Sequence, residues 1–365
     1  MTDPEAAESA PLTHLHVAPQ RERGPHPLPL FLATVTRVCG DDRARLARVL
    51  AGLRRYQEAP AATPRPRAPV RARVGNVSLH DHGGHGPLLV VIPSLINPPT
   101  VLDLAPGQSL IAGLVARGYH LLSVDWGAPE GLDLADTVAT RLVPLLRGLA
   151  APVGLIGYCL GGTLALGAAT LLGPQVARLA LLATPWHFRG YGAARDQLAG
   201  WWQQAGPLAA TLGSLPMDLL QPAFWALDEA GVTAKYEALA AMPAAGLAAF
   251  VRLEDWSNGG QPLALAAARD LAEVLFAADI TGRGDWQVGG QRVDPAALAC
   301  PILDVIARRD HIVPAAAALS TSGIGTALPL DAGHVGMIVG HRAPDMLWQP
   351  LADWFRPMAI AGQAD

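Results

Sequence analysis

The sequence predicts an α/β domain, built on a mostly parallel sheet with helices on both faces and a helical insertion late in the chain. Three observations predict it. Short apolar runs alternate with helical stretches between Leu88 and Ala183. A glycine-rich turn, Gly157-Tyr158-Cys159-Leu160-Gly161-Gly162, joins the apolar run Val153-Gly154-Leu155-Ile156 to a small-residue helix, Thr163 to Leu172. Strand character then returns at Ile302-Leu303-Asp304-Val305-Ile306, after a long aromatic and helical stretch.

Residues 1–73 read as a disordered and helical N-terminal arm. Its first part, to about residue 30, is rich in Pro, His and Arg without periodicity, which predicts disorder. Leu30 to Gln57 suits a helix interrupted near Gly40-Asp41-Asp42, and Ala59 to Arg73 is a proline- and arginine-rich linker. Residues 74–184 are the first part of the core. Val74 to His80 suits an edge strand, and Leu88 to Ile92 a buried strand ended by Pro93-Ser94. Ser109 to Arg117 reads as a helix, His120 to Asp125 as a strand, and Leu134 to Leu149 as a helix. The glycine-rich turn and a strand at Leu179 to Ala183 complete this part. Residues 185–294, with Trp186, Trp201, Trp202, Phe224, Trp225 and Trp256, read as a helical lid, and residues 295–365 as the rest of the core.

Composition narrows the function. The 365 residues are 51% hydrophobic and 16% charged, enough to bury a large core, and a net charge of −4 without a basic block argues against nucleic acid. Cys39, Cys159 and Cys300 form no CxxC pair and no even disulfide set, which favours a reducing cytoplasm. Met1 to Ala10 is polar and acidic, unlike a secretory signal, and no apolar run approaches the ~20 residues of a membrane span. His14, His16 and His26, and the group His80, His82 and His85, have spacings that fit exposed turns better than a metal site. Neither metal nor cofactor is expected.

Strand, sharp turn and helix around Cys159 form the layout of an α/β-hydrolase nucleophile elbow, with cysteine where serine usually sits. A thiol there implies acyl chemistry through a thioester. It needs a base, and the base needs a carboxylate to fix its tautomer. This fold supplies them in the order nucleophile, acid, histidine. Asp310 follows the strand Ile302 to Ile306, and His334 lies in Asp331-Ala332-Gly333-His334, after strand character at Thr326 to Leu330. Asp304 lies within its strand and suits the acid less well, and His341 is a weaker alternative to His334. His311 is expected behind the catalytic groups, as a neighbour of the acid. The oxyanion hole should combine the backbone N–H of Leu160 with one from Ser94-Leu95-Ile96, for which Leu95 is the choice.

Several segments resemble the polyhydroxyalkanoate synthases, in order from Leu88 to Gly340. They are Pro93-Ser94-Leu95-Ile96-Asn97, Val101-Leu102-Asp103-Leu104, Ser109-Leu110, Asp125-Trp126-Gly127, the Cys159 elbow, Asp310-His311-Ile312-Val313-Pro314 and Gly333-His334. The resemblance implies Cys159 as acyl-carrying nucleophile, with Asp310 and His334 as its partners. It implies a 3-hydroxyacyl-CoA substrate and a location in the cytoplasm or on polyester granules. The family resemblance is to the short-chain-length type, and the chain's size resembles the shorter synthases that pair with a second subunit, so that subunit or a homodimer is the expected partner. In the lid, Asp255-Trp256-Ser257-Asn258-Gly259 departs from the family's Trp-Asn-x-Asp pattern at its acidic position. Two other readings stay open: a cysteine hydrolase of thioesters or esters, and a non-catalytic relative that binds granules or a synthase subunit.

Overall fold

The computed structural model describes residues 23–63, 65–149 and 152–361. The disorder expected of the first residues therefore lies, for 1–22, outside the described residues. Eight strands form one sheet: β1 (Val70–Val74), β2 (Val77–Asp81), β3 (Leu88–Ile92), β4 (His120–Asp125), β5 (Val153–Tyr158), β6 (Val176–Leu182), β7 (Ile302–Ala307) and β8 (Thr326–Leu330). Their spatial order is β1-β2-β4-β3-β5-β6-β7-β8. β2 runs antiparallel to both β1 and β4, and the pairs from β4 through β8 are parallel. This is the α/β-hydrolase architecture.

Parallel strands covered on both faces read as continuous apolar runs, and β3 and β5 obey that rule. Side chains still alternate. Val153 and Leu155 of β5 enter one core with Val90 and Leu164, while Ile156 and Tyr158 enter the opposite core with Leu89, Trp348 and Phe355. The edge expected as one strand from Val74 is a hairpin. Gly75 takes φ 59° at the first position of a two-residue turn, and Val74 pairs with Val77. Arginine-rich Val70 to Arg73 escaped notice as a strand because its side chains are largely exposed.

Helices α1 (Leu28–Cys39) and α2 (Arg43–Glu58) break at Gly40, and Asp42 caps α2 by accepting from the Arg45 N–H at 2.8 Å. Leu110–Val115 forms α3, and α4 (Leu160–Leu172) follows the Cys159 turn. Between β6 and β7 lie α5 (Ala193–Leu212), α6 (Met217–Leu227), α7 (Glu229–Leu239) and α8 (Ala244–Asn258). The N-terminal pair packs on this group rather than on the sheet. Phe31, Val35, Val49, Leu53 and Tyr56 share a third core with Trp225, Tyr236, Leu239 and Val251. Gly52 lets α2 approach α7 so closely that a methyl there would strike the Tyr236 carbonyl. Among the described residues, no helix is long and apolar enough to cross a membrane.

Candidate active site

Cys159 sits between the last residue of β5 and the first of α4, at φ 54°, a region that side chains other than glycine seldom adopt. The surrounding glycines make that geometry attainable. A methyl on Gly157 would collide with the Gly162 backbone, one on Gly161 with the carbonyls of Ile92 and Pro93, and one on Gly162 with Thr184. The turn is pinned on both sides. The Cys159 N–H donates to Leu182 O at 2.9 Å, and the Gly162 N–H donates to Cys159 O at 2.9 Å. The thiol is left half-buried above the sheet.

Asp310 lies just past the end of β7, and its carboxylate is fully buried. One oxygen, Oδ1, accepts from the N–H groups of Ile312 at 2.7 Å and Val313 at 2.9 Å. The other, Oδ2, is 2.6 Å from His334 Nδ1. The imidazole is 9% exposed, lies against the Tyr158 ring at 5.0 Å and lines one pocket with Cys159. Burial by itself lowers the pKa of such a histidine. Negative charge on Cys159, with the hydrogen bonds from Asp310 and Cys159 and the Asp310 charge, outweighs it, and His334 is pushed up to about 10. Carboxylate and imidazole are thus directly bonded, and imidazole and thiol face the same pocket.

Leu160 opens α4, where helix N–H groups lack intrahelical partners, and the Gly161 contact sets that helix start against the Pro93-Ser94 loop. The Leu95 side chain lines a separate pocket with Trp126 and Leu263, away from the cysteine. Its neighbours Ser94 and Ile96 line the Cys159 pocket, and the Ile96 N–H donates to Ser94 Oγ at 3.3 Å. His311 and His341 are exposed. Asp304 is fully buried inside β7, where its Oδ2 accepts from the Ser320 N–H at 2.7 Å. The ring nitrogens of His80 meet Ala68 O at 2.7 Å and Ser78 Oγ at 3.1 Å, and His82 Nε2 meets Ser123 Oγ at 2.8 Å.

The pocket at Cys159 runs under the helices that follow β6. Its described walls include Ile96, Phe188, Tyr191, Trp201, Phe224, Trp256 and Phe276, and no Asp, Glu, Lys or Arg. Reading the sequence missed Tyr158, Tyr191 and Asn97 as wall residues. Tyr158 stands inside the elbow motif and could have been found there; nothing in the sequence singles out Tyr191.

No family model matches the chain. A poly(3-hydroxyalkanoate) polymerase subunit PhaC of Haloferax mediterranei is 28% identical over 295 residues, covering 76% of this chain and 60% of that protein. The PhaC subunit of Allochromatium vinosum is 28% identical over 288 residues, covering 73% of this chain and 80% of its own length. The chain is similar in sequence to the PhaC polymerase subunits. Its alignment with the Haloferax PhaC thus spans less than two thirds of that protein. The solved structure of BpoC from Mycobacterium tuberculosis superposes with a TM-score of 0.50 at 16% identity, covering 79% of this chain and 98% of BpoC, and supports the α/β-hydrolase fold.

Proposed function

We propose that the chain is an acyltransferase that polymerises 3-hydroxyacyl-CoA into a polyester through a thioester on Cys159. The observation that carries this reading is that Cys159 and His334 line one pocket, Asp310 bonds His334 from behind, and the described walls hold no Asp, Glu, Lys or Arg. Similarity to the PhaC polymerase subunits supports it.

In this reading the Cys159 sulfur attacks the thioester carbonyl, its proton having passed to His334. The new C–S bond forms as the CoA sulfur leaves, and that sulfur takes the proton from the imidazolium. Negative charge on the tetrahedral oxygen falls to the Leu160 N–H and to an N–H of the Ser94-Leu95-Ile96 loop, with Leu95 still the candidate. Asp310 keeps Nδ1 protonated, so that Nε2 is the atom that moves protons. The 3-hydroxyl of a second hydroxyacyl-CoA then loses its proton to His334 and attacks the carbonyl on Cys159. An ester bond forms, the C–S bond breaks, and the thiol regains its proton. The lengthened CoA ester can reload the cysteine. A sulfur nucleophile keeps the acyl group activated, and the apolar walls disfavour water as the competing nucleophile.

A second synthase subunit, or a second copy of this chain, is the proposed partner, and the polyester surface the proposed place of work. Incubation with 3-hydroxybutyryl-CoA tests the function. Insoluble polyester alongside released CoA is the expected result. Free 3-hydroxybutyrate alone, with or without a PhaC partner subunit, would replace this reading by a hydrolase, and no CoA release would exclude both enzymes.

A further inference from the structure

Tyr191 ends a short 3-10 turn, Phe188–Tyr191, that connects β6 to α5. Its ring is held on two sides. It stacks on Phe188 at 5.8 Å and meets Phe276 edge-on at 4.8 Å, while Phe188 and Phe276 touch each other at 4.9 Å. Three mutually packed rings fix the direction of the phenol at little entropic cost. The same side chain lines the pocket that contains Cys159 and His334.

Several other polar groups on that wall already have partners. Trp256 Nε1 donates to Pro98 O at 2.8 Å, Tyr158 Oη to His334 O at 3.4 Å, and Asn97 Nδ2 to Ser257 O at 3.4 Å. The Tyr191 hydroxyl has no hydrogen-bond partner among the described residues. Burial, followed by the charges of Cys159 and Asp310, keeps its phenol well above the usual range, so it stays neutral and able to donate. Tyr191 is half-buried, and its hydroxyl is free to donate to a molecule bound in the pocket.

We propose that Tyr191 hydrogen-bonds the 3-hydroxyl of the acyl group presented to Cys159, and so selects 3-hydroxyacyl thioesters over acyl thioesters that lack the hydroxyl. This assignment rests on the acyl-transfer reading of the site. It makes Tyr191 a substrate-contacting residue supplied by the segment after β6 rather than by the sheet.

The test compares CoA release from 3-hydroxybutyryl-CoA and from butyryl-CoA, in single turnovers, for wild type and Tyr191→Phe. Phenylalanine keeps the ring contacts and removes only the hydroxyl, and a thermal midpoint near wild type checks that the packing survives. The ratio of rates for the two thioesters should fall by about tenfold in the variant, the loss expected of one hydrogen bond to an uncharged group. An unchanged ratio in the folded variant would overturn the Tyr191 assignment alone. Failure of the wild-type protein to release CoA from either thioester would overturn the acyl-transfer reading, and this assignment with it.

Discussion

Asp310 and His334 meet at 2.6 Å, and the carboxylate that makes the contact is sealed from solvent. Its second oxygen is spent on the Ile312 and Val313 N–H groups, so the side chain is held from both ends. In Asp310→Asn the amide carbonyl can keep the two backbone bonds, but the NH₂ group then faces Nδ1 and favours the wrong tautomer. We expect CoA release from 3-hydroxybutyryl-CoA to fall by about 10²–10⁴, with the fold intact by circular dichroism. A rate within twofold of wild type would remove Asp310 from the mechanism.

His334 carries a testable pH signature. Its folded-state pKa of about 10 lies above the ordinary 6.5, so protonation stabilises the folded protein. That contribution is fully present below pH 6.5 and fades as pH rises through about 10. Cys159→Ala removes the largest of the effects that raise the value and leaves burial, which lowers it. The imidazole should then titrate at lower pH in a nitrogen-15 NMR experiment on labelled histidine. Titration at the same pH in both proteins would show that the thiol charge is not what holds the proton.

Close approach of α4 to the end of β3 depends on Gly161. A methyl there meets the carbonyls of Ile92 and Pro93, which are backbone atoms unable to rotate away. Gly161→Ala should cost about 1–3 kcal/mol in urea unfolding. Activity should fall more than stability, because the displaced helix start carries the Leu160 N–H. Wild-type stability and activity together would contradict the geometry of the turn.

The N-terminal helices reach the pocket through Tyr56. Its hydroxyl is 2.7 Å from Asp255 Oδ1 and accepts from Asn258 Nδ2 at 3.2 Å, bracketing Trp256 on the pocket wall. Arg23 Nε adds an ion pair to Asp255 at 3.0 Å. Tyr56→Phe preserves the ring contacts with Tyr236 and Phe250 but strips Asp255 and Asn258 of a buried partner. A loss of about 1–3 kcal/mol in stability is expected, read from the urea midpoint. No loss would show that the α2 to α8 contact is carried by apolar packing alone.

Local chemistry explains what could be read from the chain alone. The Cys159 turn was legible because close packing there demands glycine at several positions within six residues. Asp310 and His334 were legible because strand ends precede them in the order the fold requires. The Tyr56–Asp255 contact joins residues far apart in sequence, and neither carries a motif. Tyr191 was invisible for a related reason: its value lies in Phe188 and Phe276 aiming it, which no spacing announces. Ser94 and Ile96 of the loop after β3 line the Cys159 pocket while Leu95 lines the one with Trp126, which leaves the choice of backbone N–H in that loop open.

Walls without Asp, Glu, Lys or Arg among the described residues also govern how a bound molecule can travel. With no carboxylate, ammonium or guanidinium among the described walls, a lengthening ester would be retained mainly by shape and dispersion. Sliding forward by one repeat would then exchange each contact for an equivalent one and sever no strong bond. A greasy, featureless passage of this kind suits a product whose every segment resembles the last.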